Sequence, residues 1–503
     1  MQHHPSNERS RVHVPQRPLP SNAPAMAWGR VVRAACAAAV GAIALMTLPV
    51  AALAQVVSIP ASQQPLAGNG VSLFSDRDDH TAWSRPATAL STSGAGWRYI
   101  LMADMNGDGL DDLCGLYGPL NSGQFVYGCV LNSGASGAHR FAGNLIQAHA
   151  FHGSPAPSIH STIAAVDYNR DGKLDLCGRT VAGITCQRGT GSGFQAPALL
   201  SAAFSDQYGW TLEPYFSTIQ FPTSGLFLVC ARGDQGAFCI RRPGTAGGGT
   251  AVYETSYGFA DWWGWNRPEH FRTFRFVDVN GDGALDICGR GDAGIWCSAW
   301  LSSPQSAGAP MWEAPVLWTG QYANGYGWAD KRYFNSVIYG DLNGDGRTDV
   351  CGRGSAGLYC GISQMAPANN RAAQRFDGAF TLAQAQFPDA TGWGANWQEL
   401  RSLQVVDFDN DGKGDVCGLL STDFYCARSL STAGGAAFEP LVRRIKSPGM
   451  YAGSNNATSP AFERGRIVAA RLYPGTVGGT SVKATGFCWV DIQGAVSCSN
   501  PWR

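Results

Sequence analysis

Charge is what this 503-residue chain has least of. Asp, Glu, Lys and Arg make up 15% of it, against the usual quarter, and only five of the 37 basic residues are lysine. The formal net charge is zero, which argues against a dedicated nucleic-acid binder. Beyond the first 54 residues no apolar run is long enough to cross a bilayer. G-x-S-x-G, H-E-x-x-H and the phosphate loop are all missing, and so is the C-x-x-C spacing of a thiol zinc site. In their place stand 64 Gly, 27 Pro and 15 Cys. This is a turn-rich, β-leaning composition, and 45% apolar residues are enough for a large core, so general disorder is excluded.

Residues 1–54 read as an export signal. Arg30 and Arg33 precede the uncharged stretch Ala34–Ala54, which closes with Ala52-Leu53-Ala54 before Gln55. Met26 is a candidate start, since residues 1–25 are polar and Pro-rich. Pro49 and the small-x-small ending favour cleavage over a membrane anchor. Cys36 stands at the front of the apolar run, where a lipoprotein cysteine would not. The expectation is a secreted or periplasmic protein with no membrane span after cleavage.

Cleavage leaves 449 residues and 14 cysteines in seven close pairs: 114/129, 177/186, 230/239, 288/297, 351/360, 417/426 and 488/498. Successive pairs begin 63, 53, 58, 63, 66 and 71 residues apart, so an internal repeat of about 64 residues tiles the chain. One copy reads Asp341-Leu-Asn343-Gly-Asp345-Gly-Arg347-Thr-Asp349-Val-Cys351-Gly-Arg353-Gly-Ser-Ala-Gly357-Leu-Tyr-Cys360. A β-rich run such as Phe274–Val277 precedes each acidic loop, and two strands carrying the cysteines follow. A fourth strand falls at Trp312–Trp318. Four short strands in each of seven units, without a helical period, make an all-β seven-bladed β-propeller of residues 55–503. The last unit stops after its third strand, and residues near 81–90 are expected to supply its outer strand. A two-residue tip at Ser355-Ala356 sets Cys351 opposite Cys360, so one disulfide per blade is expected.

The acidic loops are the most specific chemistry. Asp-x-[Asn/Asp]-x-Asp-Gly-x-x-Asp offers oxygen ligands at positions 1, 3, 5 and 9, with a carbonyl at position 7, and hard oxygens suit Ca²⁺. The five sets are Asp104, Asn106, Asp108, Leu110, Asp112; Asp167, Asn169, Asp171, Lys173, Asp175; Asp278, Asn280, Asp282, Ala284, Asp286; Asp341, Asn343, Asp345, Arg347, Asp349; and Asp407, Asp409, Asp411, Lys413, Asp415. About five structural Ca²⁺ ions follow. The corresponding stretches Ile219–Val229 and Arg471–Thr485 lack the acids. With five ions the mature chain, 32 basic against 36 acidic residues, turns mildly cationic.

These loops, followed by Gly-x-Gly-x-x-Gly-[Ile/Leu], resemble FG-GAP/VCBS repeats, the calcium-loop blades of integrin α heads. The repeated Asp-[Val/Ile]-x-Gly-Arg-Gly-x-x-Gly text is also similar to the Psathyrella-type fungal lectins and related bacterial propeller lectins. The resemblance covers residues 90–500 and implies a calcium-stabilised propeller. Its functions in such families are sugar binding, adhesion or service to an enzyme. The paired cysteines and two acid-free units depart from the lectin pattern.

Gly-Trp recurs ahead of the first strand at Trp97, Trp210, Trp265, Trp328 and Trp393. Such rings either stack on sugar faces or pack between blades. The Ala150–Ala164 and Met450–Arg466 linkers lack the pair. Two Arg-Gly-Asp triplets, Arg232–Asp234 and Arg290–Asp292, are explained by the turn template before any adhesion role. The expected function is multivalent carbohydrate binding or adhesion at an extracellular glycan or cell surface. The alternative is an extracellular polysaccharide lyase or hydrolase, for which His152, His160 and His270 are the isolated candidates.

Overall fold

The computed structural model describes residues 95–499 except 120–124, 134–140, 142–144, 153–155, 223–226, 243–256, 302–311, 365–374, 378–381, 394–401, 421–422, 446–466, 478–479 and 491–495. Contacts divide the chain into Met1–Ser62 and Gln63–Arg503, and everything described belongs to the second unit. The export signal, the ring-closing stretch near 81–90 and the linker within 446–466 lie outside the described residues.

Seven antiparallel sheets follow one another among those residues. The first is Ala95–Ala103, Asp112–Pro119, Val126–Val130 and Ile146–Gln147. The second is Ala164–Val166, Asp175–Thr180, Gly183–Gln187 and Ala198–Ser201. The third has two strands, Phe227–Gly233 and Gly236–Arg241. The fourth is Arg275–Val277, Asp286–Gly291, Gly294–Ser298 and Val316–Thr319. The fifth is Ile338–Gly340, Asp349–Gly354 and Gly357–Gln364, with both Arg375–Asp377 and Leu382–Gln384 on the last of these. The sixth is Gln404–Val406, Asp415–Leu420, Asp423–Ala427 and Val442–Ile445, and the seventh Ile467–Val477, Thr480–Val490 and Val496–Ser499.

Each sheet is a meander with strands in chain order, and neighbouring sheets bury apolar clusters between them. The first strand of the first sheet lies against the first strand of the seventh. This is an all-β β-propeller. Five of its sheets carry four strands or more, short of the seven complete blades the repeat implies. In the third, Gln220 pairs with Cys230 only as an isolated bridge, and residues 243–256 and the stretch near 81–90 expected to close the seventh are outside the described residues.

The hairpin register is the expected one. Gly354 faces Gly357 and Cys351 faces Cys360. All seven disulfides join sequential neighbours across the second and third strands, with Cα atoms 4.0–4.2 Å apart.

The expectation of no helix needs correction. One-turn helices precede four sheets: α1 Pro157–His160, α2 Glu213–Phe216, α3 Pro268–Phe271 and α4 Lys331–Phe334. A single turn is too short to display a 3.6-residue period, but its start is written locally. Proline opens α1, α2 and α3, where a missing N–H costs nothing, and the Asp330 side chain caps Arg332 N in α4. Among the described residues no helix is long and apolar enough to cross a membrane.

Candidate functional site

Two ends of the strands carry the chemistry. At one end, between the first and second strands, lie the five acidic loops. Asp278 shows how each is built: Oδ1 accepts Gly281 N at 2.7 Å and Oδ2 accepts Gly283 N at 2.8 Å. Asp282 Oδ1 accepts Ala284 N at 2.8 Å. Gly281 and Gly283 sit at φ 76° and 79°, the wrap that glycine permits. Arg170 and Asn410 take the left-handed position in the loops of the second and sixth sheets.

Position 9 is different, because its carboxylate is buried and ties the loop to the sheet. Asp286 accepts Val279 N at 3.1 Å and Trp300 N at 2.7 Å, and Asp349 does the same with Leu342 N and Ser363 N. Burial, reinforced by the loop's other acids, pushes these groups up: Asp112 and Asp349 to about 7, Asp175 to about 6, and Asp286 and Asp415 to about 8. Among the described residues, the loop of the sixth sheet alone brings three carboxylates, Asp407, Asp409 and Asp415, to within 4.8 Å of one another. Lys173 and Lys413 reach away from their loops to the carbonyls of Thr190 and Ser431, both at 3.1 Å. The donor set is all hard oxygen, which fits Ca²⁺ or Mg²⁺ and no soft metal.

At the other strand end, a buried arginine in each of four hairpins joins two linkers. Arg232 donates to Pro214 O of α2 at 3.4 Å and to Asp261 Oδ1 at 2.7 Å. Arg179, Arg290 and Arg353 repeat this with Asp206, Asn324 and Asp389. Arg232 and Arg290 are 0% exposed, so neither Arg-Gly-Asp triplet can be read by a receptor. The sequence treated these arginines as turn residues, and only their recurrence at one register marks them as internal ties.

The five Gly-Trp tryptophans are core, which corrects their assignment to ligand stacking. Trp97, Trp210, Trp265, Trp328 and Trp393 are 1–6% exposed. Trp265 packs between Phe259 and Phe274, at ring distances of 4.7 and 6.3 Å, in the cluster joining the third and fourth sheets. Its edge would meet a Cβ on Gly289 at 2.6 Å, which explains the glycine after Cys288. Gly352 is held the same way by Trp328. In the Ala150–Ala164 linker Phe151 takes this place, against Gly178. The Tyr or Trp just ahead of the glycine, visible in the sequence but not assigned a side by it, is the exposed ring: Tyr208, Trp263 and Tyr326 are 63%, 67% and 65% exposed, and Trp262 is 61%.

No protein-family model matches the chain, and no curated protein matches it. Solved structures do. A lectin of Agrocybe aegerita that recognises non-reducing terminal N-acetylglucosamine is 21% identical with a TM-score of 0.51, over 70% of this chain and 81% of its own. The fold resembles a lectin propeller. The exotype rhamnogalacturonan lyase YesX and the rhamnogalacturonan lyase YesW are each 12% identical with a TM-score of 0.38, over 84% of this chain and 76% and 75% of theirs. At these identities the likeness is one of fold, and of these three the lectin alone superposes well enough to bear on it.

Two of the candidate histidines share one linker, where the ring of His152 lies 4.8 Å from that of His149. His152 is exposed and His160 buried in the linker before the second sheet. His270 is 2% exposed, with Nδ1 2.9 Å from Gly264 O and Nε2 3.1 Å from Asp292 Oδ1. Both of its ring nitrogens are therefore engaged, and Arg267 donates to the same Asp292 at 2.6 Å. That geometry positions a side chain; it leaves no nitrogen to take a proton from substrate.

Proposed function

We propose that the chain is an exported, multivalent glycan-binding propeller of seven blades, each stapled by one disulfide, five of them wrapped around a structural Ca²⁺. The observation that carries the reading is repetition: the same Arg-tied turn recurs at four successive linkers, and at three of them it presents an exposed aromatic ring. A catalyst needs one special blade, whereas here the special positions are spread around the fold. The lectin of similar fold supports the same direction. Its partner is a polymeric or cell-surface glycan, not nucleic acid.

Seven sheets with seven equivalent disulfides support the blade count. Disulfides at this density belong to an oxidising compartment, in keeping with the export signal. Calcium fits because four oxygen-bearing side chains fall within nine residues, and the position-9 carboxylate is held protonation-prone by burial first and by its acidic neighbours second. A divalent cation relieves that repulsion. Its part is structural, and ligand contact is left to the opposite strand ends.

The test is incubation of the purified chain with a panel of polysaccharides, scoring retention and cleavage separately, alongside metal analysis. Retention without cleavage and about five calcium ions per chain are expected. Cleavage would hand the fold to the extracellular lyase or hydrolase alternative, and a calcium-free chain would remove the metal assignment.

A further inference from the structure

We propose that Tyr208, Trp263 and Tyr326 form a row of stacking platforms for uncharged pyranose units of a polymeric glycan. The proposal rests on the glycan-binding reading above and says which side chains and which sugar class serve it.

The three rings sit on copies of one rigid turn. A 3₁₀ turn runs over Asp206–Tyr208, Asp261–Trp263 and Asn324–Tyr326, and each is closed by a glycine at φ 83–86°. The first residue of each turn donates its N–H to the tip of the cysteine hairpin, at Val181 O, Asp234 O and Asp292 O, over 3.1, 2.8 and 2.9 Å. Beneath, the buried arginine grips the same first residue through its side chain. The backbone under each ring is therefore fixed before any ligand arrives, which lowers the ordering cost of binding.

Folding does not ask for an aromatic there. The fourth turn, Asp389–Thr391 with Gly392 at φ 95°, has the same caps and the same hairpin bond, Asp389 N to Ser355 O at 2.9 Å, yet carries Thr391 at the ring position. Three large rings, each about two-thirds exposed, stand where threonine serves the fold equally well. A ring that the fold does not require and water does not favour is there for a partner.

The surroundings define that partner. Tyr208 follows Gln207, Tyr326 stands between Gly325 and Gly327, and Trp263 follows a second exposed ring, Trp262; small exposed ring faces of this kind suit the alternating C–H and O–H faces of a sugar better than a protein core or a lipid surface. The four hairpin arginines lie buried under the turns, the exposed Arg332 of α4 is paired with Asp330 and Asp389, and carboxylates come to the surface beside the rings: Asp206 and Asp292 are 43% and 56% exposed. Arg267, the exposed cation near Trp263, is already bonded to Asp292. Carboxylates accept sugar hydroxyls and repel uronates, so the sugar is neutral.

The test is affinity electrophoresis of the full, disulfide-bonded chain in calcium through gels holding glycol chitin, hydroxyethyl cellulose or polygalacturonate. The variants are Tyr208→Ala, Trp263→Ala, Tyr326→Ala, their triple combination, and Thr391→Tyr. The expected result is retardation by a neutral polymer, about three- to tenfold weaker in each single variant and lost in the triple. Thr391→Tyr should bind more tightly, with melting temperatures unchanged throughout. No retardation of the wild type by either neutral polymer would sink the glycan reading itself. Normal retardation of the triple variant would overturn this inference and leave that reading standing. Stronger retardation by polygalacturonate would overturn the sugar class, and an altered oligomeric state with unchanged retardation would assign the rings to self-association.

Discussion

In the fourth and fifth sheets the turn between the first two strands is a run of carboxylates, while the corresponding 219–226 stretch of the third sheet carries none. The loops are also chained to their neighbours: Thr348 N, in the fifth, donates to Asp278 O in the fourth at 2.8 Å. Ser363, three residues after Cys360, adds Oγ to Val279 O at 2.5 Å, and Ser429 repeats this to Leu342 O at 2.6 Å. In the third sheet the residue three after Cys239 is Arg242. It is 2% exposed, donates to Asp167 O of the second sheet's acidic loop at 2.8 Å, and bonds Pro222 O. Burial holds its guanidinium below the ordinary range. The blade without an acidic loop has a cation built into the chain, at the position where the fifth and sixth sheets use a serine hydroxyl. The seventh sheet takes another route: its first two strands stay paired, with one register shift between Arg471 and Tyr473, out to Val477 and Thr480.

The largest expected effect comes from breaking the fixed cation. Arg242→Gln removes a buried charge and leaves Asp167 O and Pro222 O short of their donors, which costs about 3–5 kcal/mol. The loss in melting temperature should be the same in calcium and in EDTA, since this blade holds no ion. Calorimetry that found the loss only with calcium present would show that Arg242 acts through the second sheet's acidic loop and not in its own right.

The contrast was half legible in the sequence. The acidic loops, the cysteine register and the acid-free units are short local patterns, and the structure repeats them residue for residue. Arg242 was not legible, because its partners Asp167 and Pro222 lie 75 and 20 residues away. The same blindness affected the linkers. In Tyr-Gly-Trp, the left-handed glycine turns the two rings to opposite fates, with Tyr326 65% exposed and Trp328 6%. Periodicity cannot assign sides across such a turn. The dipeptide Cys-Gly was a usable clue, since a strand glycine repeated after the first cysteine of five pairs implies a large neighbour pressed against it.

Acid gives a second, smaller way to probe the comparison, because protons compete with any cation at the carboxylate loops. Part of the acid response belongs elsewhere. His160, with Nε2 3.4 Å from Phe151 O, is pushed by burial down to about 4. Its unfolded form titrates near 6.5, so between those values the unfolded chain binds more protons. Stability is therefore lost as pH falls from about 6.5 to about 4, by about 1–3 kcal/mol. His160→Gln, followed by thermal melts across that range at saturating calcium, should flatten the slope by about one proton. An unchanged slope would place the whole acid response in the loops.

The smallest effect tests one exchangeable site against the fixed one. Asp282→Asn keeps an oxygen for the Ala284 N–H, which Asp282 Oδ1 now accepts at 2.8 Å, and removes one of the loop's negative charges. In EDTA the folded chain should barely notice, because the substituted side chain is exposed and retains its backbone bond. In calcium the variant should forfeit the increment of a single site. Extracellular sites of this type bind at about 10⁻⁴–10⁻³ M, and tenfold excess over such a constant stabilises by about 1.4 kcal/mol. The calcium-induced rise in melting temperature should thus shrink by about a fifth, with the other four loops supplying the rest. Equal destabilisation with and without calcium would mean that Asp282 supports the loop by hydrogen bonding alone. In that case the acidic loops, like the third sheet, would be complete without an exchangeable ion.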